Sequence, residues 1–315
     1  MTQEAGTLVG MGTRVIAVVG ATATGKSGLA IALARALGGE VVNADSMQLY
    51  QGMDIGTAKE PEAAWQGVPH HLLDIWPVTR TASVADYQKL ARAAIDDIIA
   101  RGHVPVLAGG SGLYVRAALD DLNFHGTDRG TRARLESELA ELGPAALHDR
   151  LAALDPAAAA AILPSNGRRI VRALEVIEIT GGPFTATMPA YEQVRPAVQL
   201  GLALPRPELD RRIAARVEAM WQAGFEAEVK DLVHAGLRDG RTASRALGYQ
   251  QMLRHLDGEL TLEEAREETV KATKRFARRQ ESWFHRDPRV HWLDASSPAE
   301  LLLDEALRYI CSPRP

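Results

Sequence analysis

The sequence predicts an α/β protein with a parallel-sheet core interrupted by a mainly helical insertion. Three observations carry that expectation. Short β-branched runs alternate with helical patterns in the first part of the chain, a glycine-rich turn falls at the first strand–helix junction, and strand patterning vanishes between Asp120 and about Pro196. The core domain is accordingly assigned to residues 1–119 and 197–315, and the insertion to residues 120–196.

Each element follows from its pattern. Arg14–Gly20 is a β-branched run ending at glycine, and Lys26–Leu37 places Leu29, Ile31, Leu33 and Leu37 at helical intervals. Glu40–Asn43 predicts a second strand running toward Asp45, and His71–Ile75 a third. Val84–Arg101 carries Tyr87, Leu90, Ala91, Ala94, Ile95 and Ile98 on one helical stripe, and Val104–Ala108 returns as a buried strand. The insertion is rich in Ala, Leu and Arg and is broken at Gly143-Pro144, Asp155-Pro156, Pro164 and Gly181-Gly182-Pro183. After it come a strand at Val198–Leu204, one long helix over Glu208–Val233, a second over Glu263–Phe284, and a final strand at Val290–Leu293.

Composition narrows the class. A lone cysteine, Cys311, excludes a disulfide scaffold and a Cys-rich zinc site. Met1–Gly12 lacks the basic and apolar stretches of a secretory leader, and no apolar run approaches a membrane span, so a cytoplasmic protein without a membrane partner is expected. The formal charge of −4 argues against coating nucleic acid by bulk charge. That charge is uneven: Val270–Val290 holds Lys271, Lys274, Arg275, Arg278, Arg279, Arg286 and Arg289 against Glu281 and Asp287, a local +5 that leaves −9 elsewhere. Arg168, Arg169 and Arg172 form a second cluster, and Arg129, Arg132 and Arg134 a third. Taken singly, each reads as a solvated helix face.

Gly20, Ala21, Thr22, Ala23, Thr24, Gly25, Lys26 and Ser27 satisfy the G-x4-G-K-[ST] pattern between a predicted strand and a predicted helix, so the core is expected to be P-loop NTPase-like and to bind phosphate or nucleotide. The glycines let backbone N–H groups wrap phosphate oxygens at a helix N-terminus, Lys26 adds a positive charge, and the Ser27 hydroxyl is the expected Mg²⁺ ligand. Nucleotide hydrolases add an acidic Mg²⁺ ligand after an apolar strand, whereas Val104–Ala108 runs into Gly109-Gly110-Ser111-Gly112. Asp45 does follow a strand, where position alone leaves it either a carboxylate in a ligand crevice or an ordinary loop aspartate. Ser111 offers a hydroxyl in a similar place, on a turn that by itself is weak evidence of a site.

Asp45–Lys59, Gly20–Ser27, Pro69–Ile75 and Gly109–Tyr114, with Arg168–Val176, Ser244–Gln250 and Ala272–Phe284, together resemble the bacterial tRNA dimethylallyltransferase (tRNA isopentenyltransferase) family over roughly Val15–Asp294. The resemblance implies transfer of a dimethylallyl group from dimethylallyl diphosphate to N6 of the adenosine 3′ of the anticodon, in tRNAs that read codons beginning with U. It implies that Gly20–Ser27 and Mg²⁺ hold the diphosphate, that Asp45 is the general base, and that the hydroxyl at position 111 lies near the reacting centre. That residue is Ser111 where the family usually has threonine, which keeps the hydroxyl and loses the methyl that restricts χ1. Contacts with the tRNA anticodon stem-loop are implied for Asp45, Ser46, Met47, Gln48, Ser111, Arg132, Arg168, Arg169, Arg172, Arg245, Gly248, Tyr249, Gln250, Arg278, Arg279, Gln280 and Trp283. A monomer is expected. A P-loop small-molecule kinase, with Asp45 activating a hydroxyl, is the first rival reading, and a non-catalytic RNA-binding module the second.

Overall fold

The computed structural model describes residues 14–124, 126–184 and 191–312; the leader reading of Met1–Gly12 lies outside them. Six strands form one all-parallel sheet: β1 (Val15–Gly20), β2 (Gly39–Asn43), β3 (His70–His71), β4 (Val104–Gly109), β5 (Ala197–Ala203) and β6 (Val290–Asp294), in the order β3-β2-β4-β1-β5-β6. This is the predicted α/β core of P-loop type. The order reverses beside β1: the chain first moves out past the position of β4 and later crosses to β5 on the other side. In such sheets the crevice at the carboxyl ends of the strands next to the reversal is the ligand site.

Burial on both faces explains the apolar strands, since all six residues of β1 are buried. Ile16 and Val18 point to one face, where they share a core with Leu29 and Leu33 of α1 (Lys26–Leu37). α2 (Val84–Ala100) begins at Ser83, whose hydroxyl accepts from Asp86 N at 3.3 Å, and buries Tyr87, Ala91, Ile95 and Ile98 against β2, β4 and α3 (Gly112–Leu119). The chain divides into two compact units, Met1–Asp120 with Gln193–Pro315, and Asp121–Glu192.

The second unit contains α4 (Arg129–Leu154), α5 (Pro156–Ala161) and α6 (Gly167–Thr180) around a core of Leu135, Leu147, Leu151, Ile162, Ile170 and Leu174. Its helix breaks follow the sequence. Gly143 takes φ 79° before Pro144 and kinks α4, Asp155 caps α5 by accepting from Ala158 N, and Asn166 caps α6 by accepting from Arg169 N.

In the first unit, two expectations are corrected. The strand predicted over His71–Ile75 stops after His71, because Leu72 and Asp74 adopt φ of 62° and 55° and Asn43 Nδ2 donates to Leu72 O at 3.0 Å. The helix predicted over Glu208–Val233 is two, α7 (Arg206–Gln222) and α8 (Phe225–His234), separated by Gly224 in the left-handed region at φ 94°. α9 (Tyr249–Leu256), α10 (Leu262–Phe284) and α11 (Ala299–Cys311) complete the unit. α10 starts with a capping box between Thr261 and Glu264. Among the described residues, no helix is long and apolar enough to cross a membrane.

Candidate active site

The phosphate loop runs from β1 into α1. Gly25 sits at the N-cap with φ 93° and provides no side-chain cap, so the first turn presents backbone N–H groups at the positive end of the helix dipole. Gly20 has φ 137°, and a Cβ there would approach Leu202 O to 2.7 Å, which requires glycine at the strand end. Ala23, a non-glycine at φ 66°, holds a strained turn of the kind that points consecutive amides inward. The Thr24 hydroxyl pins the loop from inside by donating to Ala21 O at 2.9 Å.

Lys26 is half-buried as a residue, but its amino group turns into the loop and donates to Ala21 O at 2.6 Å. Desolvation first, then the neighbouring Arg216 charge, lowers its pKa to about 7, while Asp45 acts in the opposite direction. Arg216 reaches in from α7, its Nη1 donating to Thr22 Oγ1 at 3.2 Å. Burial lowers its pKa too, opposed by Glu60 and Asp45. Sequence reading missed Arg216: it lies in a helix rich in arginines, and no motif separates it from Arg211 or Arg212, which pair with Glu208.

Asp45 stands two residues beyond β2. Its backbone N–H donates to Asn43 Oδ1 at 2.8 Å, and its Oδ1 accepts from Met47 N at 2.9 Å, so the carboxylate is fixed by a local turn. Ser111, at the end of β4, accepts from Ser46 N at 3.2 Å and donates to Ser46 Oγ at 3.3 Å. The two loops can meet because Gly109 has no side chain; a Cβ there would collide with the backbone of Ala44. Gln48 is half-buried, its Nε2 donating to Thr57 O at 3.2 Å. Thus the phosphate loop, Asp45 and Ser111 converge at the carboxyl end of the sheet, with Lys26 and Arg216 supplying positive charge. The described residues contain no group of three or more acidic, His or Cys side chains suited to a metal.

Several residues expected at a tRNA surface are occupied elsewhere. Tyr249 is 0% exposed; its phenol donates to Glu228 at 2.6 Å and its ring packs edge-on against Phe225, which makes it an interior group. Gly248 lies beside the same Phe225 ring with φ 85°. Gln280 is 6% exposed, and its amide is shared between two backbone groups, Thr22 N–H and Gly110 O. Thr22, expected to offer its amide to phosphate, thus gives it to a side chain of α10. Within the second unit, Arg132 and Arg172 both pair with the fully buried Glu175, whereas Arg168 and Arg169 lie at the exposed start of α6.

Arg245 and Gln250 are exposed. So are Arg278 and Arg279 on α10, which with Ser282, Trp283 and Arg286 line a surface concavity of about 320 Å³. Trp283 also lies against the backbone of Gly112, the residue after Ser111, where a Cβ would collide with its indole ring. Arg289, from the same basic stretch, is instead drawn inward to Asp120 and Asp287, with Nη1–Asp120 Oδ1 at 2.7 Å.

Known proteins share this architecture. The family model for IPP transferases matches residues 48–287. The tRNA dimethylallyltransferase of Thermobifida fusca is 68% identical over 302 residues, covering 94% of each chain, and that of Streptomyces coelicolor is 69% identical over 280 residues, covering 89% of this chain and 90% of that protein. Among solved structures, the tRNA isopentenylpyrophosphate transferase of Bacillus halodurans superposes with a TM-score of 0.70 at 41% identity, covering 95% of both chains. A eukaryotic dimethylallyltransferase acting on tRNA gives 0.79 at 27% identity, covering 90% of this chain and 74% of that one. A phosphate loop joined at the carboxyl end of the sheet to an aspartate and a hydroxyl, a family match over most of the sequence, and relatives alike almost end to end lead to one assignment: the chain belongs to the IPP transferase family.

Proposed function

We propose that this protein transfers a dimethylallyl group from dimethylallyl diphosphate to N6 of the adenosine 3′ of the anticodon in tRNA, acting as a cytoplasmic monomer. The observation that carries this reading is the convergence of the phosphate loop with Asp45 and Ser111, at a β4 end that has glycines and a hydroxyl where a nucleotide hydrolase would place a carboxylate. Such a site suits a diphosphate that leaves intact, without phosphoryl transfer.

The chemistry separates charge. As the allylic C–O bond breaks, positive charge grows on the isoprenoid carbon and negative charge on the departing diphosphate. The first-turn amides of α1, Lys26 and Arg216 stabilise that negative charge. The hydroxyl of Ser27 is a hard oxygen donor on the same turn, which fits Mg²⁺; when bound, the ion would add further neutralisation of the diphosphate. Asp45 accepts a hydrogen bond from the adenine amine and takes its proton as N6 bonds to carbon, which requires the base to leave the anticodon-loop stack. Arg278, Arg279 and Trp283 offer cations and an aromatic face for that loop.

Mass analysis of tRNA nucleosides after incubation with dimethylallyl diphosphate tests the reading. It predicts N6-(dimethylallyl)adenosine, reduced about 10²-fold or more by Asp45→Asn with tRNA binding retained. Labelling from ATP in place of the isoprenoid donor would favour a kinase and sink it.

A further inference from the structure

Gln280 projects from the inner face of α10 and spans two loops. Its Oε1 accepts from Thr22 N at 2.9 Å, and its Nε2 donates to Gly110 O at 2.8 Å. Thr22 belongs to the phosphate loop, and Gly110 immediately precedes Ser111. The fit leaves no slack, because a Cβ on Gly110 would collide with the Gln280 amide and come within 3.2 Å of Gly20 O.

The sheet does not already do this. Pairing of β1 with β4 fixes the strands only as far as Val19 opposite Gly109. Beyond that, the loops leave the ladder, and the Gln280 amide takes over where backbone pairing ends. A side-chain amide offers one acceptor and one donor group in a fixed plane, matching an N–H on one loop and a carbonyl on the other. Gly110 O is buried, so losing the amide would leave that carbonyl without this donor.

We propose that Gln280 is a positioning residue that sets the separation between the diphosphate-holding loop and the Ser111 hydroxyl, and so aligns donor and acceptor for transfer. It also ties both loops to the helix whose outer side bears the exposed Arg278 and Arg279. The inference rests on the transferase reading of the same site. A misplacement of about 1 Å between reacting groups costs on the order of 10²-fold in rate, so loss of the bridge should appear in kcat more than in either KM.

The test compares full-length wild type with Gln280→Met, which keeps the volume and removes the bridge, and Gln280→Glu, which keeps the acceptor for Thr22 but has no donor for Gly110 while ionised. Ile310→Ala, a core truncation on α11, controls for stability. Thermal melting and transfer kinetics are measured with both substrates. Both Gln280 variants should lose about 10²-fold in kcat with each KM within about threefold, while Ile310→Ala, melting as low or lower, keeps its kcat. Gln280→Glu should recover as pH is lowered, because a protonated carboxyl can donate to Gly110 O. Turnover within twofold of wild type in Gln280→Glu, or an equal loss of kcat in Ile310→Ala, overturns the proposal, and Gln280→Glu decides alone if the methionine variant does not fold. Wild-type protein that transfers nothing would instead remove the transferase reading itself.

Discussion

The phenol of Tyr249 donates to a Glu228 carboxylate that also accepts three consecutive backbone N–H groups, from Asp54, Ile55 and Gly56 at 3.1, 2.6 and 3.2 Å. The carboxylate therefore clamps the segment that follows Asp45–Gln48 onto α8. Glu228→Ala leaves three amides without this partner and frees that segment. The expected outcome is a several-fold rise in KM for tRNA with KM for the isoprenoid donor unchanged, and Tyr249→Phe should reproduce a smaller part of it. Steady-state kinetics with each substrate varied in turn would show it; equal rises in both constants would contradict the clamp.

Gly56 touches the same cluster. A methyl there would run into the rings of Phe225 and Tyr249. Gly56→Ala should cost about 1–3 kcal/mol through overpacking, read from denaturant unfolding. A neutral result would mean that the two rings can move apart.

Lys26 gives a pH dependence. Its pKa of about 7 in the free protein must rise when a diphosphate arrives, so the complex holds more protons than the free protein above pH 7. Affinity for diphosphate should be level below about pH 7 and fall by up to about tenfold per pH unit above it. Calorimetry in buffers of different ionisation enthalpy should detect proton uptake, and Lys26→Met should abolish it.

A second titration concerns stability. Glu40 is 1% exposed, bonded to Arg101 and His103 and, at 2.6 Å, to His71; the Arg101 hydrogen bond chiefly holds its pKa down to about 2. A carboxylate depressed on folding contributes stability above its unfolded pKa that is lost as pH falls through the folded one, so acid should destabilise the protein between about pH 4.5 and 2. Arg101 and His103 are partly exposed, which screens the pairs, and Glu40→Gln should cost about 1–2 kcal/mol at neutral pH and flatten that acid limb in melting experiments.

Salt should weaken tRNA binding through counterion release. Neutralising Arg278 and Arg279 together should reduce the slope of log affinity against log salt by roughly 1–2. An unchanged slope would remove the basic concavity from the interface.

Local signals were the legible ones. The phosphate loop was readable because its spacing and its place between strand and helix are both local, and the β-branched runs revealed the strands because burial on both faces demands them. Asp45 and Ser111 were readable as strand-end residues, and the resemblance brought them together. What a polar side chain meets across the fold was not readable. Arg216 lies nearly two hundred positions from Thr22, and nothing in its own helix marks it. Tyr249 and Gln280 sit in motifs that suggested an RNA surface, yet both turn inward, because the partners that bury them, Glu228 and Thr22 with Gly110, come from distant segments. The short β3 was misjudged for a similar reason: His71–Ile75 has strand-like composition, but Asn43 from the neighbouring strand captures Leu72 O and ends the pairing.

The chain leaves the sheet-bearing unit at Asp120 and rejoins it at Gln193, and those two residues form an antiparallel bridge, with Val194 N donating to Leu119 O at 2.9 Å. The inserted residues thus begin and end at one doorway, and they carry their own apolar core. A module plugged in at a single paired joint can be lengthened, trimmed or exchanged by genetic change without re-threading the sheet. Diversification of this architecture can therefore proceed in the insert while the loops at the strand ends stay fixed.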